Sequence, residues 1–441
     1  MLGLNEKLLR REEEGNRIQV GIAGAGQMGR GMVSQIMLMK GMRPAVIADI
    51  RLENARQALR GSAVSDDDIV VADSVAEAEA ALSNGYFVIT DEPDIVTEVG
   101  QIDCVVDATG VPEAGARIAM ETILNGKHIV MLNVETDVVV GPWLKKLADS
   151  AGVVYTGSAG DEPGSVKELY DFADALGFEI SAIGKGKNNT IDLAATPDSV
   201  AEEAAERGMS PKMLTAFKDG TKTMVELTAM SNATGFVPGV RGAYGIKATV
   251  EDLYEVLPKQ YSLKANGGIL DQLGVVDYVE GIAPGVFVVV TSNLPYVLEV
   301  MSYLKMGPGP NYALYRPYHL TSLETPLSIA KAVIEHEPTI VPRERLISET
   351  VAVAKRDLKP GDFLDGIGGS TVYGTIERAD LVRVEQLLPL GLVNKKSRVT
   401  APVTKGAVVP RAAVEHDRDS LIYQLRVLQD TLVDCRIPEK V

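Results

Sequence analysis

Cysteine is nearly missing from this 441-residue chain, which has two, Cys104 and Cys435. Two thiols make neither a disulfide framework nor the paired spacing of a zinc site, and Cys104, inside the apolar run DCVVDATG, reads as a buried core thiol. A surplus of positive charge is also missing. Lys and Arg number 44 against 60 Asp and Glu, a net charge of −16, which argues against nucleic acid or an anionic membrane surface as a partner. An anionic substrate would then need a local basic pocket. No apolar run reaches the roughly 18 residues of a membrane span. The opening MLGLNEKLLRREEEGNR is charged throughout and lacks a signal-peptide apolar region, so a soluble, cytoplasmic protein is expected. What remains is ordinary for a globular protein, with 46% hydrophobic and 24% charged residues.

Residues 18–29 read IQVGIAGAGQMG, an apolar run followed by Gly24-x-Gly26-x-x-Gly29 and a helix-forming stretch. Asp49 stands 20 residues after Gly29, at the end of a second apolar run, PAVIAD. This is a dinucleotide-binding fingerprint in its required strand–turn–helix context. Gly24 permits the tight turn, Gly26 lets backbone approach a pyrophosphate, and Gly29 lets helix pack on sheet. The helix N-terminus, with Gln27 and Met28 in its first turn, offers free N–H groups to phosphate. Asp49 suits a ribose 2′-hydroxyl, whereas Arg51 suits a 2′-phosphate.

The fold class expected is α/β: an N-terminal Rossmann-type parallel sheet, a central α+β domain and a C-terminal small β-rich module. Residues 1–160 form the dinucleotide-binding domain, 161–345 a catalytic or substrate domain, and 346–441 the β-rich module and tail. In the first segment IVVAD, DCVVDATG, KHIVMLN and GVVYTGSAG read as strands buried on both faces. Thr109 and Gly110 after one, and Asn133 and Glu135 after another, fall at the carboxyl edge of the sheet, where ligands bind. Two ordinary strand-ending turns are the plainer reading.

In the second segment SPKMLTAFKDGTKTMVELTAMSNATGF reads as one long helix, with Lys218, Lys222 and Glu226 on one face and Asp219 beside them. They are either a surface charge ladder or a buried polar site in which a lysine acts in proton transfer. Lys185-Gly-Lys187-Asn188-Asn189 ends a strand with two cations and two amides, fit for a phosphate or a polyol, or simply a solvated basic turn. Asn232 follows the charged helix, while Arg241, Arg316 and His319 add cations beside aromatics and glycines. Asp161-Glu162 follows the last strand of the first segment and can hold Mg²⁺ or Mn²⁺, act as acid and base, or cap the next helix.

Taken in order, GIAGAGQMG, VDATGVP, LNVE, GSAGDEPG, GKGKNN, FKDGTKTMVELTAMSNATG and YRPYHL, with the LPLG…VTKGAVV tail, resemble homoserine-dehydrogenase-like proteins that carry a C-terminal SAF domain. More narrowly, the chain is similar to the second type of 1-deoxy-D-xylulose 5-phosphate reductoisomerase-like enzymes. MLNVE stands where plain homoserine dehydrogenases have an Asn-Lys pair, and Asp219-Gly-Thr-Lys222 replaces their Asp-x-x-x-Lys, which turns the reading away from homoserine. The resemblance implies an NADPH-dependent reductoisomerase (with NAD the alternative cofactor) that forms 2-C-methyl-D-erythritol 4-phosphate for isoprenoid synthesis, as a homodimer. It implies catalytic roles for Lys187, Asp219, Lys222 and Glu226. It implies substrate contacts from Lys218, Asn188, Asn232, Arg241, Arg316 and His319. Cofactor contacts fall to Gly24, Gly26, Gln27, Met28, Gly29, Asp49, Arg51, Thr109, Gly110, Asn133 and Glu135, and a divalent metal to Asp161 and Glu162. A dehydrogenase of another small phosphorylated or hydroxy-acid substrate fits the same motifs, and a nucleotide-sensing binding protein is the non-enzymatic reading.

Overall fold

The structure, a computed structural model, describes residues 3–254 and 274–434. The described residues divide into two compact units, one built from 3–164 with 320–344 and 424–434, the other from 165–254, 274–319 and 345–423. No helix among the described residues is long and apolar enough to cross a membrane.

The first unit holds a seven-stranded sheet of β1 (Ile18–Ala23), β2 (Met42–Ala48), β3 (Ile69–Val71), β4 (Phe87–Thr90), β5 (Cys104–Asp107), β6 (His128–Met131) and β7 (Tyr155–Gly157). The spatial order is β3-β4-β2-β1-β5-β6-β7, and all pairs are parallel. Its helices are α1 (Leu4–Glu13), α2 (Gln27–Leu38), α3 (Leu52–Arg60), α4 (Val75–Ser83), α5 (Pro93–Glu98), α6 (Pro112–Leu124) and α7 (Val134–Ala151). Parallel strands need crossovers, and the helices bury both sheet faces, so the strands can be apolar throughout. Ile18, Val20, Ile22, Met32, Ile36, Ile47, Ile89 and Val106 share one core. β4, with the sequence FVIT, is a strand that reading the sequence missed. Between β1 and β5 the strand order reverses, and that switch point opens a crevice at the carboxyl ends.

Two later segments complete this unit. The helix Thr325–Ala330 and the turn after it add Ile329, Ala330 and Val333 to the core. Helix α7 contains Pro142, which has no N–H to give. Beside it Gln429 is fully buried and inserts into the helical ladder: its Nε2 donates to Val139 O at 3.1 Å, and its Oε1 accepts from Trp143 N at 3.1 Å.

The second unit is built on a mixed sheet of β8 (Glu179–Lys187), β9 (Ile246–Lys247), β10 (Val275–Glu280), β11 (Val286–Thr291) and β12 (Asn311–Arg316), in the order β12-β11-β8-β10-β9. Helices α8 (Glu162–Ala175) and α11 (Thr221–Thr234) supply Val166, Met224, Leu227 and Met230, which pack with Ile183, Val276 and Val288 of the sheet. Between them run α9 (Ala201–Glu206) and α10 (Pro211–Lys218). The stretch read as one helix over 210–236 is therefore two. Gly220 takes φ +85°, a left-handed conformation that ends one helix and starts the next. The β-rich tail forms two small antiparallel sheets, β13 (Ser348–Ala354) with β14 (Val372–Arg378), and β15 (Arg398–Val399) with β16 (Val414–Glu415).

Candidate functional site

In the first unit the three fingerprint glycines face three different surroundings. Gly24 has φ +102°, and a Cβ there would lie 2.7 Å from Ala108 O at the exit of β5. At Gly29 a Cβ would meet Gly24 O at 2.0 Å, so the first turn of α2 closes onto the loop only without a side chain. A Cβ on Gly26 would meet nothing within 4 Å. Gly26 and Gln27 are exposed, Met28 is half-buried, and Gly26 caps α2 without a side-chain hydrogen bond. The N-terminus of this 12-residue helix is thus exposed at Gly26 and Gln27, as a pyrophosphate site needs. These residues fit a dinucleotide.

Asp49 follows directly on β2 and is half-buried. Its Oδ2 accepts from Ala25 N at 2.8 Å, and its Oδ1 accepts from Arg51 N at 2.9 Å and Asn54 Nδ2 at 3.0 Å. The carboxylate therefore braces the glycine loop from the carboxyl end of β2. Arg51 is exposed. At the exits of β5 and β6, Asp107 is the hub of a buried network. It accepts from Thr109 N at 2.9 Å, Thr109 Oγ1 at 2.7 Å and Asn133 Nδ2 at 2.9 Å. Burial lifts its carboxyl to about 6, against the opposing pull of those hydrogen bonds. Asn133 also caps α7 through Thr136 N at 3.2 Å, and Glu135 lies buried in that first turn. Gly110, at φ +65°, completes the β5 exit. Thr109 and Asn133 thus hold each other and Asp107. Asp161, buried, and the half-buried Glu162 stand side by side at the start of α8.

In the second unit the end of β8 reads Gly184-Lys185-Gly186-Lys187, and strand alternation explains it. The glycines point to the face where neighbouring backbone presses in: a Cβ would lie 1.8 Å from Asp277 O at Gly184 and 2.4 Å from Ala283 N at Gly186. The lysines point to the other face, the one covered by α11. Lys185 is buried and forms an ion pair with Glu226 of α11, which is 1% exposed. Lys187, also buried, donates to Phe217 O at 3.1 Å and to Asn189 Oδ1 at 3.2 Å. Burial and the neighbouring Lys185 charge hold its ammonium below the usual lysine range, while Glu226, Asp219 and Glu280 pull the other way. Lys222 is half-buried one turn before Glu226, on the same side of α11. A buried, charge-surrounded lysine at a strand end is equipped to hold a developing oxyanion or pass a proton.

Other residues singled out from the sequence are engaged elsewhere in this unit. Lys218, on α10 rather than α11, pairs with Glu203. Asp219 is 1% exposed; its Oδ1 accepts from Thr221 N at 2.9 Å, and its Oδ2 lies 2.7 Å from Lys355 Nζ. Asn232 Oδ1 accepts from Ile347 N and Ser348 N at 2.8 and 3.0 Å, so its carbonyl anchors β13. Arg241 is clamped by Glu377 at 2.6 Å and Glu385 at 2.7 Å. Arg316 donates to Ser165 Oγ and Glu168, each at 3.2 Å, and lies over the Tyr318 ring. His319 Nδ1 is 2.7 Å from Pro284 O. Asn188 is exposed in the turn after Lys187. Reading the sequence missed Lys185 as the partner of Glu226, and missed Glu280, Lys247 and Lys355 altogether. The GKGK alternation carried the first of these; nothing local to the others marked them.

Residues 160–325 match the family model described as "Oxidoreductase DRL, catalytic domain". No curated protein matches the chain. Among solved structures the chain is similar to a probable dehydrogenase from Thermotoga maritima, at 12% identity over 73% of this chain and 90% of that one, with a TM-score of 0.40. It is also similar to the myo-inositol dehydrogenase from Lactobacillus casei in complex with NAD(H) and myo-inositol, at 12% identity over 74% and 89% of the two chains, with a TM-score of 0.39. Likeness at that level carries nothing about substrate. With the Rossmann-type sheet, the match to the catalytic-domain model supports an enzyme of the oxidoreductase class.

Proposed function

We propose that the protein is a nicotinamide-nucleotide-dependent oxidoreductase, and more narrowly a reductoisomerase that converts 1-deoxy-D-xylulose 5-phosphate into 2-C-methyl-D-erythritol 4-phosphate. The observation that carries the broader reading is Lys187, buried at the end of β8 beside the Lys185–Glu226 pair, within the segment that matches an oxidoreductase catalytic domain. The narrower reading rests on the sequence motifs from GDEPG to DGTKTMVELTAMSNATG.

The Gly24–Gly29 turn and the N-terminus of α2 would hold the pyrophosphate, with Asp49 and Arg51 at the adenosine ribose. When bound, the nicotinamide would supply the hydride. Lys187 hydrogen-bonds the carbonyl oxygen of the substrate and offers a proton as that oxygen becomes an alkoxide. Glu226 holds Lys185 in place, and that second ammonium strengthens the field at the same oxygen. Lys222 is the other cation in position to serve. The phosphate is assigned to Arg316, whose carboxylate partner Glu168 is itself exposed and 3.2 Å away, and to His319, rather than to Arg241, which two glutamates hold at 2.6 and 2.7 Å. Asp219 acts on the site by holding the turn between α10 and α11, from which Phe217 O positions Lys187. NADPH is the cofactor proposed, a metal role is proposed for Asp161 and Glu162, and the assembly proposed is a homodimer.

The test is the decay of NADPH absorbance with 1-deoxy-D-xylulose 5-phosphate, with and without Mg²⁺ or Mn²⁺, and with NADH in parallel. Substrate-dependent decay supports the reductoisomerase. No decay with cofactor binding intact leaves the broader dehydrogenase reading and removes the narrower one. Lys187→Met is expected to lower turnover by about a hundredfold or more with cofactor affinity unchanged. Unchanged turnover removes Lys187 from the chemistry.

A further inference from the structure

A cleft of about 540 Å³ opens at the carboxyl ends of β8, β9 and β10, within the range of about 300–1,000 Å³ usual for small-ligand sites. Across its floor runs one rung of the sheet: Lys187 of β8 is in register with Glu280 of β10, which is in register with Lys247 of β9. The rung grades from the interior outward. Lys187 is 6% exposed, and the side chains of Glu280 and Lys247 are 16% and 78% exposed. Parallel neighbours lie about 4.8 Å apart, so the two lysine backbones stand roughly 10 Å from each other with the carboxylate between them.

The lining sorts the ligands it can take. Two ammonium groups, Lys187 and Lys247, are balanced by two carboxylates, Glu280 and Asp252. The other lining residues are the amides Asn188 and Asn189, the hydroxyls Thr190 and Thr249, and Ala248 and Gly281, with no aromatic or large aliphatic side chain among the described residues. A phosphate dianion entering here would lose water without a net positive field and would meet Glu280 beside Lys247. A chain of hydroxyl groups meets the opposite situation, since each hydroxyl both donates and accepts. Glu280 lies 3.4 Å from Lys247 Nζ, beyond the usual charge-assisted bond, which leaves its carboxylate capacity to accept.

We propose that this cleft is a polyol subsite that binds an uncharged, polyhydroxylated stretch of the substrate, with Glu280 accepting from a substrate hydroxyl and Lys187 and Asn189 flanking it. The inference rests on the proposed function only in taking Lys187 as a substrate-facing group. It assigns the substrate class of the site as sugar-like, with any phosphate held outside this cleft.

The experiment is saturation-transfer NMR on the full chain, with xylitol as the probe and inorganic phosphate as the competitor. Xylitol should receive saturation, and phosphate should not displace it. Glu280→Ala should weaken xylitol by about tenfold or more, and Glu280→Gln, which keeps the shape and one acceptor, by about fivefold. Melting curves establish that each variant is folded. The proposal is overturned if xylitol receives no saturation at tens of millimolar, if phosphate displaces it, or if the folded Glu280 variants bind it as wild type does. The two readings fail separately. Xylitol binding that needs Glu280, without turnover of 1-deoxy-D-xylulose 5-phosphate, sinks the reductoisomerase and keeps the subsite. Turnover without such binding does the reverse.

Discussion

Replacing Lys355 by methionine should damage the second unit more than its distance in sequence from the candidate site suggests. Lys355 Nζ lies 2.7 Å from the Asp219 carboxylate, 2.6 Å from Ala195 O and 2.7 Å from Gly369 O. The two side chains are 3% and 0% exposed. Methionine matches the lysine in length but donates nothing, so Asp219 is left as a buried charge without its counter-ion and two carbonyls lose a donor. Breaking a buried pair from one side costs about 3–5 kcal/mol. For a unit of this size each kcal/mol moves the midpoint by about 2–4 °C, so the melting temperature should fall by roughly 10 °C. Circular dichroism melts of Lys355→Met, Asp219→Asn and the double variant make the assay. The double variant should lose less than the sum of the singles by about 1–3 kcal/mol, because the two residues are in contact. A Lys355→Met protein that melts within about 2 °C of wild type refutes the argument, since the full cost would shift it several-fold further. The same series decides what Asp219 does. If it holds the turn, Asp219→Asn and Lys355→Met lower the melting point and turnover in parallel. If it touches substrate, turnover collapses at an unchanged melting point.

The fingerprint glycines separate fold from binding. Gly29→Ala puts a Cβ 2.0 Å from Gly24 O and should cost about 1–3 kcal/mol in unfolding experiments, whereas Gly26→Ala, open on that side, should leave stability unchanged and weaken NADPH in a fluorescence titration. Equal melting losses in both would contradict the assigned roles. Burial lifts the Asp137 carboxyl to about 6, although the Tyr155 hydroxyl donates to it at 2.8 Å. A carboxyl raised in the folded state keeps its proton after the unfolded chain has released its own, so its contribution to stability declines as pH rises from about 4 to about 6 and stays low above that. Asp137→Asn should therefore gain on wild type by about 3 kcal/mol across that window in urea titrations; a difference that does not move with pH would show that the carboxyl is not raised. Gln429→Ala leaves Val139 O and Trp143 N without the buried side chain that bridges them and should cost about 2–5 kcal/mol, read from urea denaturation. A loss below about 1 kcal/mol would mean that water or a shift of α7 replaces the bridge.

The parts of the fold that were legible in the sequence are those whose reasons are local. Gly29 answers to Gly24 within one strand–turn–helix unit, and the spacing of the three glycines marks the turn, although the neighbour that Gly24 answers to, Ala108, lies on another strand's exit. The apolar runs IQVGIA and CVVD mark buried strands, and FVIT of β4 carries the same signal, which reading the sequence passed over. The break at Asp219–Gly220 was hidden for a different reason. The flanking MLTAF and MVELTAM are both good helix formers, and one glycine costs a helix only about 1 kcal/mol, so local propensity alone does not force a stop. The stop comes from Gly220 at φ +85° and from Lys355, 136 residues away, fixing Asp219. Nor does any composition shift mark where the chain leaves the first unit after 164 and re-enters it at 320 and 424. There the deciding contacts, such as Gln429 with the proline-containing helix α7, are tertiary.

The candidate site divides along the same line, and the division bears on which residues can act. Lys185 and Lys187 were visible because GKGK is a strand pattern. Two glycines are imposed on one face by backbone at 1.8 and 2.4 Å, and two cations are thereby forced onto the other. Their partners come from separate segments, Glu226 from α11 and Glu280 from β10, and the charges sort accordingly. Lys185 is matched by a carboxylate as buried as itself, which fixes it in place. Lys187 has neutral acceptors, Phe217 O and Asn189 Oδ1, as its hydrogen-bond partners. A lysine held by neutral acceptors can give up one of them to a substrate oxygen without abandoning a buried counter-charge. Of the cations that the sequence brought forward, Lys218, Arg241 and Arg316 face carboxylates. By that reasoning Lys187 is the group to place against the reacting oxygen, with Lys185 and Glu226 as the pair that positions it.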